Sequence, residues 1–181
     1  MTNDYYPFRP GTPLSRRPPG PDGPGFRAVP EGGSVIEEID RKLARAMNKD
    51  ARKSYRELAK ELGTSITSVI HAAKRLEASG AVRGYIPDLN PALFGYDWTA
   101  VIAIAINPGK ILETQKAIAR DPHVQAVYDV TGEWDSIVIA RVRGRADLDA
   151  YIKKLSATSY IARTVTHVVL NTVKEEHRVA V

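Results

Sequence analysis

The stretch "SYRELAKELGTSITSVIHAAKRLEASG", residues 54 to 80, constrains the chain more tightly than any other. Ser54 with Glu57 three residues on forms a capping box, in which hydroxyl and carboxylate satisfy each other's backbone N–H groups at a helix start. Gly63 suits the left-handed residue that closes a helix, because glycine has no Cβ to clash there. The second helix is therefore short, about two turns. After Gly63 and Thr64, Ser65 caps a third helix that runs through "ITSVIHAAKRLEAS" to Gly80. Ahead of the pair, Ile36, Ile39, Leu43 and Met47 recur at spacings of three and four, so one apolar stripe runs along a first helix that frays into "NKD". Three helices with a short glycine-containing turn before the last make a tri-helical helix-turn-helix unit.

The third helix can be read by wheel geometry. At about 100° per residue, Val69, Ala73 and Leu76 fall on one side. Thr67, Ser68, His71, Lys74 and Arg75 fall on the other, a polar and basic face whose N-terminal residues would enter a DNA major groove first. The expected DNA-binding set is Ser65, Thr67, Ser68, Ile70, His71, Lys74 and Arg75, with Ile70 at the edge of the face as a partner for a thymine methyl. Charge agrees in direction. Residues 34–90 hold 11 basic against 8 acidic residues, most of the chain's net +5. A bias this mild permits nucleic-acid binding without requiring it.

Beyond Tyr96 the hydrophobic periods alternate. Trp98–Ile106, Val124–Val130, Ser136–Val142 and Arg163–Val173 read as strands. Lys110–Arg120 reads as a helix with Ile111, Leu112, Ile118 and Ala119 apolar, and Ala146–Leu155 as a second with Leu148, Tyr151, Ile152 and Leu155 on one stripe. The order βαββαβ predicts a ferredoxin-like, antiparallel four-stranded sheet with both helices on one face. The uncovered face should then be polar, yet both alternation sets of the first strand are apolar: Trp98, Ala100, Ile102, Ile104 and Ile106 on one side, Val101, Ala103 and Ala105 on the other. The last strand interleaves Val165, Val169 and Val173 with Val168 and Leu170 in the same way. Two identical sheets meeting face to face in a C₂ homodimer is the simplest arrangement that covers them.

The expected class is thus α+β, with residues 1–33 a disordered tail, 34–82 the helix-turn-helix, 83–95 a linker in which Pro87 and Pro91 forbid helix, and 96–181 the ferredoxin-like domain. The tail follows from composition: Pro7 to Gly33 carries eight of the twelve prolines and six glycines, too few core formers to balance its ordering entropy. Arg9, Arg16 and Arg17, three of its four arginines, read as a solvated charge group. With no cysteine there is no disulfide framework and no thiolate nucleophile. No apolar run approaches the roughly 20 residues of a membrane helix, and a polar N-terminus does not resemble a signal peptide, so a cytoplasmic protein without a membrane partner is expected. His71, His123, His167 and His177 form no ligand-like spacing and no glycine-rich phosphate loop is present, so no metal and no cofactor are expected.

One turn carries chemistry of its own. "TGEWD", residues 131 to 135, joins the second and third strands and sets Glu133, Trp134 and Asp135 beside Gly132. Catalysis would need two carboxylates held at separated pKa values or a base beside a nucleophile, and neither is there. A large aromatic with two acceptors and several backbone amides suits capture of a small zwitterion. A bare hairpin tip is the rival reading.

The helix-turn-helix stretch, followed by "DVTGEWDSIVIARV" and "RTVTHVVLNTVKEE", resembles the Lrp/AsnC, or feast/famine, family of transcription regulators over roughly residues 35 to 176. The resemblance implies a winged-type helix-turn-helix, a linker strand, and a regulatory domain of ferredoxin-like fold that dimerises through its sheet. It further implies assembly of dimers into octamers or other higher forms, with an amino acid bound between dimers near the hairpin tip. The family's Gly-x-Tyr/Phe-Asp turn falls on Gly132, Glu133, Trp134 and Asp135, so Trp134 departs from the usual smaller aromatic. The effector-binding set is accordingly Thr131, Gly132, Glu133, Trp134, Asp135, Thr164 and Thr166. Arginines frequent in the family near Ile70 and Ala72 are missing, which shifts the expected affinity toward phosphate contacts and multivalency. The function implied is a DNA-binding regulator modulated by an amino acid, with double-stranded DNA as partner and no catalytic residues. Rival readings are a ligand-insensitive, chromatin-like DNA organiser, a sirohaem-decarboxylase-like enzyme using His123 and His167, and a DNA-free metabolite sensor.

Overall fold

The computed structural model describes residues 36–181. The proline-rich tail and its arginines lie outside the described residues. Two compact units are present, one formed by residues 36–87 with 176–181 and the other by residues 88–175. The last six residues, expected with the second domain, thus group with the helical one. Arg45 Nε donates to the Val181 carbonyl and Asn48 Nδ2 to the Val179 carbonyl, both at 2.7 Å.

The first unit comprises α1 (Glu38–Lys49), α2 (Tyr55–Leu62) and α3 (Ile66–Ala78). Ser54 Oγ accepts from the Glu57 N–H at 3.3 Å while the Glu57 carboxylate accepts from the Ser54 N–H at 2.7 Å, so the capping box is closed. Gly63 ends α2 with φ of +62°, where a Cβ would be strained. Leu43, Met47, Leu58, Val69, Ala73 and Leu76 meet in one core. Ile36 does not join them; it precedes α1 and is exposed, since the helix begins only after Glu37.

The second unit holds β1 (Trp98–Ile106), α4 (Ile111–Ile118), β2 (Val124–Asp129), β3 (Ser136–Val142), α5 (Arg145–Ser156) and β4 (Ile161–Val168). The strands lie in the order β2-β3-β1-β4, all antiparallel to their neighbours. Ala100, Ile102, Ile104 and Ile106 of β1 pack with Val138, Ala140 and Val142 of β3 against Ile118, Leu148, Tyr151 and Leu155 of the two helices. In antiparallel pairs directly opposed residues share a face. The register Val101↔Ile139, Ala103↔Ile137, Ala103↔Val165 and Tyr128↔Ile137 therefore collects these residues on the face turned away from the core.

Three expectations change. β4 stops at Val168 instead of Val173. Val169 N–H still reaches the Thr99 carbonyl at 2.9 Å, but β1 starts at Trp98, so nothing remains to pair with, and Leu170 and Val173 are almost fully exposed. In the linker, Pro91 opens a single 3₁₀ turn, Pro91–Phe94, instead of forbidding helix. A proline at a first helical position lacks only an N–H that would have been unpaired anyway, and Asn90 Oδ1 caps the turn through Ala92 N–H at 3.1 Å. On α4, Leu112 is exposed while Thr114 and Gln115 point inward and are buried.

Candidate nucleic-acid interface and effector turn

α3 presents Thr67, His71 and Lys74 to solvent, with Ser68 and Ile70 half-buried at the edges of that face. Ser65 caps the helix through the Ser68 N–H at 3.0 Å, and the two hydroxyls lie 2.8 Å apart, so both serines are engaged at the helix start. Arg75 is turned elsewhere. Its guanidinium donates to Asp40 Oδ1 at 2.6 Å, Asp40 Oδ2 at 3.3 Å and Glu37 Oε2 at 3.0 Å, joining α3 to α1. Asp40 is buried, and a buried carboxylate without a cation is costly, so Arg75 is first a strut between helices. Its side chain stays partly exposed beside the polar face of α3. Ala72 is fully buried, so its position carries core packing here and not a basic side chain. Arg56 and Lys60 of α2, absent from the sequence-based set, are exposed opposite the buried Leu58 and Ala59. Their helical spacing from those two apolar residues was the available signal.

The turn from Val130 to Asp135 is pinned at its base. Asp135 N–H donates to the Ile104 carbonyl at 3.0 Å, and Asp135 Oδ2 accepts from the Ile106 N–H at 2.7 Å, so one residue of the turn prolongs the ladder onto β1. Behind it, the buried Gln115 amide donates to Ser136 Oγ at 2.7 Å and to Asp129 Oδ1 at 3.1 Å, tying α4 to both arms of the hairpin. Gln115 was not singled out from the sequence. The signal was a polar residue at an inward position of the α4 stripe, between Ile111 and Ile118.

Glu133 and Trp134 extend from this base toward β4. Arg163 Nη2 donates to Glu133 Oε1 at 2.5 Å, and the Arg163 guanidinium carbon lies 4.3 Å from the Trp134 ring centroid. Gly132 adopts φ of +117°, a conformation L side chains rarely take, which lets the chain double back. Thr131 is exposed. Thr164 and Thr166 are not brought to this group. They pair with Ile104 and Ile102, whose side chains are in the core, so both threonines share the helix-covered face while Arg163 and Val165 take the other. They lie on the opposite face of β4 from Arg163, the residue that stacks on Trp134.

The histidines are separate. His71 lies on α3, His167 opposite Val101 on β4, and His123 between Asp121 at 2.9 Å and Asp147 at 3.6 Å. Among the described residues no group of three or more His, Cys, Asp or Glu is placed to hold a metal ion, and no helix is long and apolar enough to cross a membrane.

Comparison with known proteins bears on both halves. Residues 36–77 match the AsnC-type helix-turn-helix domain and residues 99–179 the Lrp/AsnC ligand binding domain. An uncharacterized HTH-type transcriptional regulator of Pyrococcus abyssi is 42% identical over 144 residues, covering 80% of this chain and 98% of that one. The HTH-type transcriptional regulator LrpA of Mycobacterium tuberculosis is 30% identical, covering 76% and 92%. Among solved structures, AsnC of Escherichia coli superposes with a TM-score of 0.74 at 24% identity, over 79% of this chain and 97% of that one. A feast or famine regulatory protein from M. tuberculosis, complexed with L-methionine, gives 0.70 at 28% identity over the same shares. Helix-turn-helix, four-stranded sheet and relatives agree: the chain belongs to the Lrp/AsnC family of DNA-binding transcriptional regulators and is not an enzyme.

Proposed function

We propose that the chain regulates transcription by laying α3 in the major groove, with Thr67, Ser68, His71 and Lys74 toward base edges and Ile70 beside a thymine methyl. Ser65 holds the start of that helix, and Arg56 and Lys60 of α2 contact phosphates as the first helix of such a pair crosses the backbone. The exposed polar face of α3, standing on a closed core, is the observation that carries this reading. The amino-acid side of the proposal rests on the turn Thr131–Asp135, with Glu133 and Trp134 foremost, and is supported by the L-methionine complex of the M. tuberculosis relative. The apolar face formed by Val101, Ala103, Ile137, Ile139 and Val165 supports a homodimer closed sheet on sheet, with dimers assembling into an octamer or other higher form around the effector.

The test is binding of the full chain to its own upstream DNA and to a scrambled duplex across a salt series, with and without a mixture of amino acids. A preference for the upstream site of about a thousandfold or more, shifted by amino acids, is the expected outcome. Equal, steeply salt-dependent binding to both duplexes, indifferent to amino acids, would replace this reading with the chromatin-like organiser. That alternative draws on one observation: among the described residues Arg75 is held by Asp40, which leaves Lys74 as the cation on the exposed polar face of α3.

A further inference from the structure

An ammonium group entering the turn would need a carboxylate and an aromatic face. The chain fills both with a cation of its own. Arg163 pairs with Glu133 and stacks on Trp134. The other two carboxylates of this segment are also engaged, Asp135 by the Ile106 N–H and Asp129 by the Gln115 amide. By contrast, a guanidinium carries five N–H donors in a planar fork, and Glu133 takes those of one nitrogen. The Arg163 side chain remains 58% exposed, so the unused edge of the fork is open to an incoming acceptor. Trp134 fixes the plane of that fork and Glu133 one of its edges. Such an edge matches a carboxylate, which accepts two parallel N–H bonds.

We propose that Arg163 is the specificity-determining residue of the effector turn, and that it selects an amino acid with a second carboxylate over neutral or cationic ones. This rests on the amino-acid reading given above. Glu133 and Trp134 then act as positioning residues for Arg163 and not as ligands to the effector's ammonium. Glu133 opposes part of the attraction through its own negative charge, and solvent screens the site, so the selectivity expected is moderate, about tenfold in Kd or ~1.4 kcal/mol.

Calorimetric titration of the full chain with L-glutamate, L-methionine and L-arginine tests this, alongside the variants Arg163→Ala and Glu133→Ala, with circular dichroism to verify folding. Arg163 is exposed on an edge strand, so its loss should leave the fold intact. Glutamate should bind the unaltered chain about tenfold more tightly than the other two. Arg163→Ala should erase that order, and Glu133→Ala should keep glutamate binding with a loss of a few-fold. If methionine or arginine binds best, if Arg163→Ala retains the preference for glutamate, or if Glu133→Ala abolishes binding of every amino acid, Arg163 does not set the specificity, although the effector reading survives. If no amino acid binds the unaltered chain, the effector reading falls and this inference with it.

Discussion

Asp135 reads in the sequence as a ligand acceptor beside Trp134, and in the folded chain it closes the β1 ladder through a partner 29 residues away. Asp135→Ala leaves the Ile106 N–H without that acceptor and should lower stability by about 1–3 kcal/mol in a urea titration, with Asp135→Asn less severe because it keeps an oxygen at the same place. Ser54 is the opposite case, its role legible from Glu57 three residues on. Replacing it with Ala should cost about 1 kcal/mol in the same measurement. Asp121 is a third kind. Burial alone would raise its carboxyl pKa, but hydrogen bonds from Lys154 and from the His123 backbone and ring outweigh burial and hold it below the ordinary 3.8. A lowered folded value stabilises the native state above the unfolded pKa, and that contribution disappears as pH falls through the folded one. The Tm of Asp121→Asn should accordingly vary less with pH below about 4 than that of the unaltered chain. Nothing within the sequence around Asp121 pointed to Lys154, 33 residues later.

At the scale of elements, α3 separates two basic neighbours that the helical wheel placed together. Lys74→Glu should weaken DNA binding and narrow the preference for the upstream site over the scrambled duplex, while leaving the denaturation midpoint unchanged. Arg75→Ala should do the reverse, lowering the denaturation midpoint because Asp40 stays buried without its cation, with little change in DNA affinity. Equal effects of the two substitutions on DNA affinity, with no loss of stability for Arg75→Ala, would count against this division. Wheel angle determines which way a side chain leaves its own helix. It does not reveal that α1 sets a carboxylate beside that exit, 35 residues earlier in the chain. The strands show the same limit: alternation located β1 and β3 to the residue, yet overran β4 by five, because a strand lasts only as long as its neighbour.

For the molecule as a whole, the apolar face opposite the helices is where assembly is proposed, and Ile139→Glu is the sharpest probe of it. A charge there should lower the mass measured by sedimentation equilibrium and weaken DNA binding through lost avidity, whereas an unchanged mass would move the interface elsewhere. The sequence alone determined the periods, caps and turns, hence three helices, the βαββαβ order and both faces of the sheet. These are local properties, set by backbone geometry and by residues three, four or two apart. Only the tertiary structure decided that Arg75 serves Asp40, that Gln115 and Asp135 anchor the hairpin, that Thr164 and Thr166 turn to the core, and that Arg163 occupies Glu133 and Trp134. Each of those depends on groups distant in sequence meeting at hydrogen-bond range, and such meetings are fixed by strand register and helix packing, which no local pattern encodes.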